Sequence, residues 1–113
     1  FLHNPDDLWS PEMLAAGTHD IRVTLPDLFG IPSNRSLGLI IAGDDGFSNR
    51  RTMGRTVSPI AFGHSGAGGQ LAFADPVTGL SVGYATAGLD QQLIRQNRRD
   101  TAIASIAADL LAG

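Results

Sequence analysis

The spacing of hydrophobic positions divides the chain into short extended runs and one long helical one. Ile103, Ile106, Ala107 and Leu110 stand at i, i+3, i+4 and i+7, the pattern of one buried stripe on a helix over 98–112. Asn97 can cap that helix, Asp100 three residues on makes a variant of the capping box, Asp109 lies off the stripe and Gly113 ends it. The stretch 89–96, LDQQLIRQ, reads as a preceding helical turn or an approach loop.

Upstream, GGQLAFAD (68–75) and GLSVGYATA (79–87) alternate as strands do, and DPVTG joins them with turn-forming residues, which predicts an antiparallel hairpin. Leu71 and Phe73 share a face, as do Leu80, Val82, Tyr84 and Thr86. Ser81, Gly83 and Ala85 make a small-residue face against which a helix is expected to pack closely. SLGLIIA (36–42) is continuous in Leu39, Ile40 and Ile41, which predicts a strand buried on both faces. GDDGFSNRRTMGR (43–55) reads as an exposed connection.

The first third is less regular. Residues 1–9 read as irregular, and SPEMLAAG as a short helix. Its cap is Ser10, Pro11 suits its first turn, Glu12 its positive end, and Gly17 its stop, with Met13 and Leu14 as buried contacts. IRVTL (21–25) alternates as a strand would, with Pro26 limiting it, and PDLFGIPSNR is loop. The chain thus divides into an irregular region with a short helix, 1–35, and a folded part, 36–113. The fold class is α/β (α+β): an antiparallel sheet of about three strands with a packed C-terminal helix.

Composition narrows the chemistry. With 42% hydrophobic residues in 113, the chain can build one core, and its 14 glycines and 6 prolines imply short elements and many turns. No cysteine is present, so disulfides, thiolate catalysis and cysteine metal sites are excluded. Every basic residue is arginine, and the net charge is −3. The clusters around Arg50-Arg51-Arg55 and Arg95-Arg98-Arg99 are small and lie near acids or amides, without the stacking aromatics of a nucleic-acid face. LGLIIAG is far shorter than the ~20 residues of a membrane helix. FLHNPDD lacks the basic and apolar regions of a signal peptide, and with no initiator methionine it reads as a start within a longer protein.

The candidate chemistry is concentrated in His64-Ser65-Gly66-Ala67, at the entrance to the hairpin. Small residues there leave room for a ligand, and the N–H groups near Gly66, Ala67 and Gly68 could face an anion or an oxyanion. Adjacent strand residues point to opposite faces, so His64 and Ser65 cannot act on one another as base and nucleophile unless the backbone turns. A glycine-rich loop without chemistry is the plainer alternative. GAGG lacks the lysine and the Ser/Thr of a phosphate-binding loop, and a strand follows it where that loop needs a helix. His3, His19 and His64 share no metal-ligand spacing, and Asp44-Asp45 and Asp90 read as turn or solvent-facing acids. Trp9 reads as packing beside a helix start, and Tyr84 as core or sheet face.

The run FGHSGAGGQLAFADPVTGLSVGYATAG resembles the third box and following hairpin of the serine β-lactamase and penicillin-binding-protein superfamily, closest in flavour to its bacterial esterase and lipase members. The resemblance covers roughly 36–112. It implies the C-terminal portion of a serine hydrolase that acts on esters, with no cofactor and no metal, and with a small-molecule ester or amide as substrate. His64, Ser65 and Gly66 would be the box, and the Ala67 N–H half of an oxyanion hole. The family's nucleophile lies in an upstream Ser-x-x-Lys box and its tyrosine in a Tyr-x-Asn or Tyr-x-Ser box; neither is present here, and Tyr84-Ala85-Thr86 is not the second. Histidine in place of lysine removes a fixed positive charge and favours neutral esters. The parent would be bacterial, cytoplasmic or associated with the cell envelope. In the family's sheet the strand holding Tyr84 is flanked by strands from upstream, so this chain alone would self-associate through that edge. The alternative reading is a non-catalytic α/β binding or interaction module.

Overall fold

A computed structural model of the chain describes residues 4–20, 26, 28, 30, 34–44 and 52–112. A single 3-10 turn, Pro5–Asp7, precedes helix α1, Pro11–Ala15, which runs on as a π turn over Ala16–Asp20. Four strands follow, β1 (Ile40–Ile41), β2 (Phe62–Gly66), β3 (Gln70–Asp75) and β4 (Leu80–Tyr84), and then helix α2 (Leu93–Ala112). Each strand is antiparallel to the next, in the spatial order β1-β2-β3-β4. The result is a mixed α/β fold with an antiparallel sheet and a C-terminal helix.

The β3–β4 hairpin forms where the alternation places it. Asp75 fixes its turn: the carboxylate is 1% exposed and accepts from Val77 N–H at 3.1 Å, from Ser58 N–H at 2.8 Å and from the Ser58 hydroxyl at 2.5 Å. One side chain thus caps the turn and ties the segment before β2 to the end of β3. At the opposite end the Gln70 amide clamps Thr86, accepting its N–H at 2.8 Å and donating to its hydroxyl at 2.9 Å.

SLGLIIA is not a strand along its length. The chain from Asn34 to Ile41 doubles back on itself, with Ser36 N–H on the Leu39 carbonyl (2.9 Å) and Ile41 N–H on that of Asn34 (2.8 Å). Only Ile40–Ile41 remain to pair with β2, and Leu37 lies exposed at the tip. The supposedly exposed connection also needs correction at its end. Thr52, Met53 and Gly54 are buried, and Met53 sits with Ala42, Ala61, Leu71, Phe73 and Ala104 in the core. The IRVTL strand and His3 lie outside the described residues.

The two faces of the sheet have exchanged their expected roles. Leu71 and Phe73 are buried, and Val82 and Tyr84 half-buried, on the face that meets α2, while Ala72, Ser81, Gly83 and Ala85 are open. Burial of large apolar side chains outweighs the closer fit that a glycine–alanine face allows. Toward one end of the open face, Phe62 is buried, and it shares a cleft with Pro11, Leu14 and Thr18 of the α1 segment.

Helix α2 begins well before Asn97. The Gln92 side chain accepts Arg95 N–H at 2.6 Å, so the cap belongs to Gln92. Its buried positions are Gln96, Asp100, Thr101 and Ala104, while Ile106 is 60% and Leu110 78% exposed. The amphipathic stripe of Ile106 and Leu110 exists but is rotated away from the sheet. The reason is close approach: a Cβ on Gly54, whose φ is +86°, would lie 3.0 Å from Ser105 N and 3.2 Å from Ala104 C. Backbone meets backbone there, which admits Ala104 and turns the larger residues outward. At the first helix, Ser10 caps α1 by accepting Met13 N–H at 3.2 Å, as its sequence indicates. Gly17 does not end it, because the π turn carries the helical path through to Asp20, and Met13 is 57% exposed.

Two outcomes are expected. Met53→Ala should destabilise the fold by about 2–5 kcal/mol through loss of a fully buried side chain, whereas Ile106→Ala should stay within about 1 kcal/mol; denaturant melts that rank them the other way would contradict this burial. Among the described residues β4 pairs only with β3, and GLSVGYATA carries neither charge nor proline to protect that edge. Amides of 80–84 should therefore exchange more slowly as protein concentration rises, in step with the mass measured by light scattering.

Candidate functional site at the end of strand β2

Antiparallel pairing decides where the box side chains go. His64 stands opposite Ala72, and Ala72 opposite Gly83, so all three share the open face. Ser65 stands opposite Leu71, and Leu71 opposite Tyr84, on the face that meets α2. His64 is exposed and Ser65 half-buried. The two therefore diverge across the sheet and form no base–nucleophile pair.

The ring of His64 has a partner at each nitrogen. Nδ1 lies 2.5 Å from the Ser65 carbonyl oxygen, which can only accept, so this nitrogen carries the proton. Nε2 lies 3.4 Å from Arg35 Nη1, which can only donate, so Nε2 presents its lone pair. Arg35 is the neighbour of His64 that sequence reasoning missed. It stands 29 positions upstream, in a stretch without a strand or helix period. Its position follows from the tight Asn34–Ile41 fold and the Arg35–Ile40 bridge, which bring it beside β2. This arginine places a fixed positive charge beside His64.

Beyond Gly66 the chain reverses through Ala67, Gly68 and Gly69. The turn closes with Gly69 N–H on the Gly66 carbonyl at 3.2 Å, a bond in which the exposed Ala67 takes no part. Gly68 and Gly69 have φ of +88° and +103°, and a Cβ on either would run into Leu89 or the Arg99 guanidinium. Gly68 and Gly69 are thus required by the turn itself and by what lies behind it.

What lies behind it is the start of α2. Asp90 N–H donates to the Gly68 carbonyl at 3.1 Å, and Arg99 Nη2 approaches the same oxygen at 3.5 Å. The Asp90 carboxylate receives Arg95 at two points, 2.6 and 2.7 Å, and also the Gln92 N–H at 3.0 Å. Arg99 sits 3.9 Å from Asp90, 3.5 Å from the buried Asp100 and 5.9 Å from the centre of the Tyr84 ring. Tyr84 is accordingly half core and half platform for a cation.

His64, Ser65, Gly66 and Ala67 lie together at one corner of the sheet because they are consecutive. The structure adds Arg35 on the open side and Asp90, Arg95 and Arg99 behind the turn. His19 is elsewhere, 3.4 Å from its neighbour Asp20. Among the described residues no three His, Cys, Asp or Glu side chains cluster to hold a metal ion, and no helix is long and apolar enough to cross a membrane. Trp9 is 38% exposed and borders a cleft, rather than packing fully beside the helix start.

No protein-family model matches the chain, and no curated protein matches it.

The Arg95 hydrogen bonds, and after them the Gln92 N–H, hold the Asp90 carboxyl down from its ordinary 3.8 to about 2. Folding thus lowers this pKa, so the stabilisation is complete above the unfolded value, near 4, and is lost as pH falls toward 2. Asp90→Asn should flatten the acid limb of helix content between about pH 4 and 2; an unchanged limb in the variant would show that Asp90 does not secure the helix start.

Proposed function

We propose that this chain is the C-terminal part of a β-lactamase-like serine hydrolase acting on esters, with a carboxylesterase, lipase or lactamase as the whole protein. The observation that carries the reading is positional. The His64-Ser65-Gly66 box occupies the end of a sheet strand, an antiparallel hairpin follows, and a terminal helix covers the opposite face. This is the succession that the resemblance implies. The β4 edge, unpaired among the described residues, and the outward Ile106 and Leu110 also support it, since a larger domain would use both surfaces.

In this reading the nucleophilic serine and its lysine come from an upstream Ser-x-x-Lys segment, and a tyrosine from a second box helps to move the proton. The serine oxygen attacks the carbonyl carbon, the alcohol leaves with a proton, and water releases the acyl group. The residues present here form the facing wall. The exposed Ala67 N–H is one donor to the oxyanion, a contribution worth about 3–4 kcal/mol in the transition state. His64, engaged by Arg35 and the Ser65 carbonyl, lines the wall without acting as a free base. Gly66 keeps the wall low so that substrate can lie along the strand. Arg35 restores a positive charge beside the box, so an ester or amide with a negatively charged group is accommodated as well as a neutral ester.

The second reading, a non-catalytic binding module, has one observation in its favour: both nitrogens of His64 are already engaged. The coding sequence upstream of Phe1 separates the two. The hydrolase reading expects Ser-x-x-Lys followed by Tyr-x-Asn or Tyr-x-Ser; an upstream sequence without them overturns it. The 113-residue chain itself is expected to hydrolyse neither nitrocefin nor p-nitrophenyl butyrate above its Ser65→Ala variant. Saturable turnover lost in that variant would make Ser65 a nucleophile and refute the assignment.

A further inference from the structure

Helix α2 has an outward flank that the sheet does not use. With the neighbouring Arg55 and Thr56 it bounds a groove of about 460 Å³, whose helical lining includes Arg98, Thr101, Ala102, Ser105, Ile106 and Asp109. These positions fall at i, i+3, i+4, i+7, i+8 and i+11, one continuous face of the helix. The face carries a cation at one end, an anion at the other, and small or apolar residues between. We propose that this face is the interface between two copies of the chain, whose α2 helices pack antiparallel about a two-fold axis.

Three observations select a second copy. First, the two charges cannot serve each other: the helix rise from Arg98 to Asp109 is about 16 Å, beyond the reach of either side chain. Second, both are unspent. Arg95 and Arg99 are held by Asp90, and Arg99 also by Asp100, whereas Arg98 and Asp109 are exposed and form no ion pair among the described residues. Third, the order of residues is complementary to its own reverse. A second helix turned end for end, with the axis between residues 103 and 104, sets Arg98 of each copy against Asp109 of the other, Thr101 against Ile106, and Ala102 against Ser105. Small side chains thus meet in the middle, where they let the two helix axes come close, and each charge finds its opposite at the ends. A small anion such as phosphate would satisfy the arginines alone and would share the groove with Asp109, which repels it. Ion pairs of this exposed kind add little to affinity and much to orientation, so the association is weak and fixed in direction.

The inference goes beyond the hydrolase reading and does not rest on it. Leu110 and the β4 edge lie outside the groove, and no part of the test reads turnover.

Sedimentation equilibrium of the 113-residue chain over a range of concentrations tests it. The parent is compared with Arg98→Asp, with Asp109→Arg, with the double variant, and with an equimolar mixture of the two single variants. Circular dichroism checks the helix content of each. The parent should approach the mass of a dimer as concentration rises. Each single reversal sets like charges against each other at both ends and should weaken self-association about ten-fold or more. Arg98→Gln, measured as well in case a reversal disturbs the helix, should weaken it by less. The double variant restores opposite charges and should dimerise as the parent does. The mixture should also dimerise, because the two single variants carry opposite charges at every facing position. Any of three results overturns the inference: a parent that stays monomeric at every concentration, with or without inorganic phosphate bound in the groove; self-association that neither single reversal weakens, as pairing through the β4 edge would give; or failure of the double variant or the mixture to recover the dimer.

Discussion

The Arg99 guanidinium is where the separate parts of this protein meet. It reaches the carbonyl of Gly68 in the turn after β2, the ring of Tyr84 on the edge strand, and the carboxylates of Asp90 and Asp100 on either side of it in sequence. A planar group with several donors can serve such different neighbours at once, which an ammonium on a flexible stem does less well. Its space is provided by Gly69, where any side chain would collide with it. The position of α2, the shape of the turn and the corner holding Ala67 are thus set together. The buried polar face of α2 follows from the same arrangement, since Gln96 and Asp100 flank the arginine and accompany it to the sheet.

How much of this could be read from the residues depended on whether the deciding contact was local. The β3–β4 hairpin was legible because alternation and the Asp75-Pro76 turn agree. The Ser10 cap of α1 was legible for the same reason. The α2 face was not. Periodicity located an apolar stripe through Ile106 and Leu110, but which side of a helix meets a sheet depends on how close the backbones come. Here Gly54, fifty residues before Ala104, makes that distance short. Met53 was hidden in the same way, as one apolar residue in a polar connection with no period of its own. SLGLIIA misled in the other direction: a continuous apolar run implied a long strand, while the bonds from Asn34 to Ile41 fold most of it into a turn.

The candidate site divides along the same line. Its four consecutive residues, His64 to Ala67, were visible as a motif, and the divergence of His64 from Ser65 follows from strand geometry alone. Arg35 was invisible because nothing local marks it. Its arrival changes the electrostatics of the corner, since a box written with histidine acquires the charge of an arginine.

The meander of β2, β3 and β4 has a bearing on how the molecule comes apart. Its pairings join residues near in sequence, and contacts of that kind close quickly and with little loss of chain entropy. The contacts that hold α2 are of the other sort, spanning from Gly54 to Ser105 and from Gly68 to Arg99. The helix can therefore lift as a unit while the sheet keeps its hydrogen bonds, in the manner of a separate cooperative segment. Such an opening would free the Gly68 carbonyl and slacken the turn that presents Ala67, so the rigidity of the corner is only as great as the hold of the last helix.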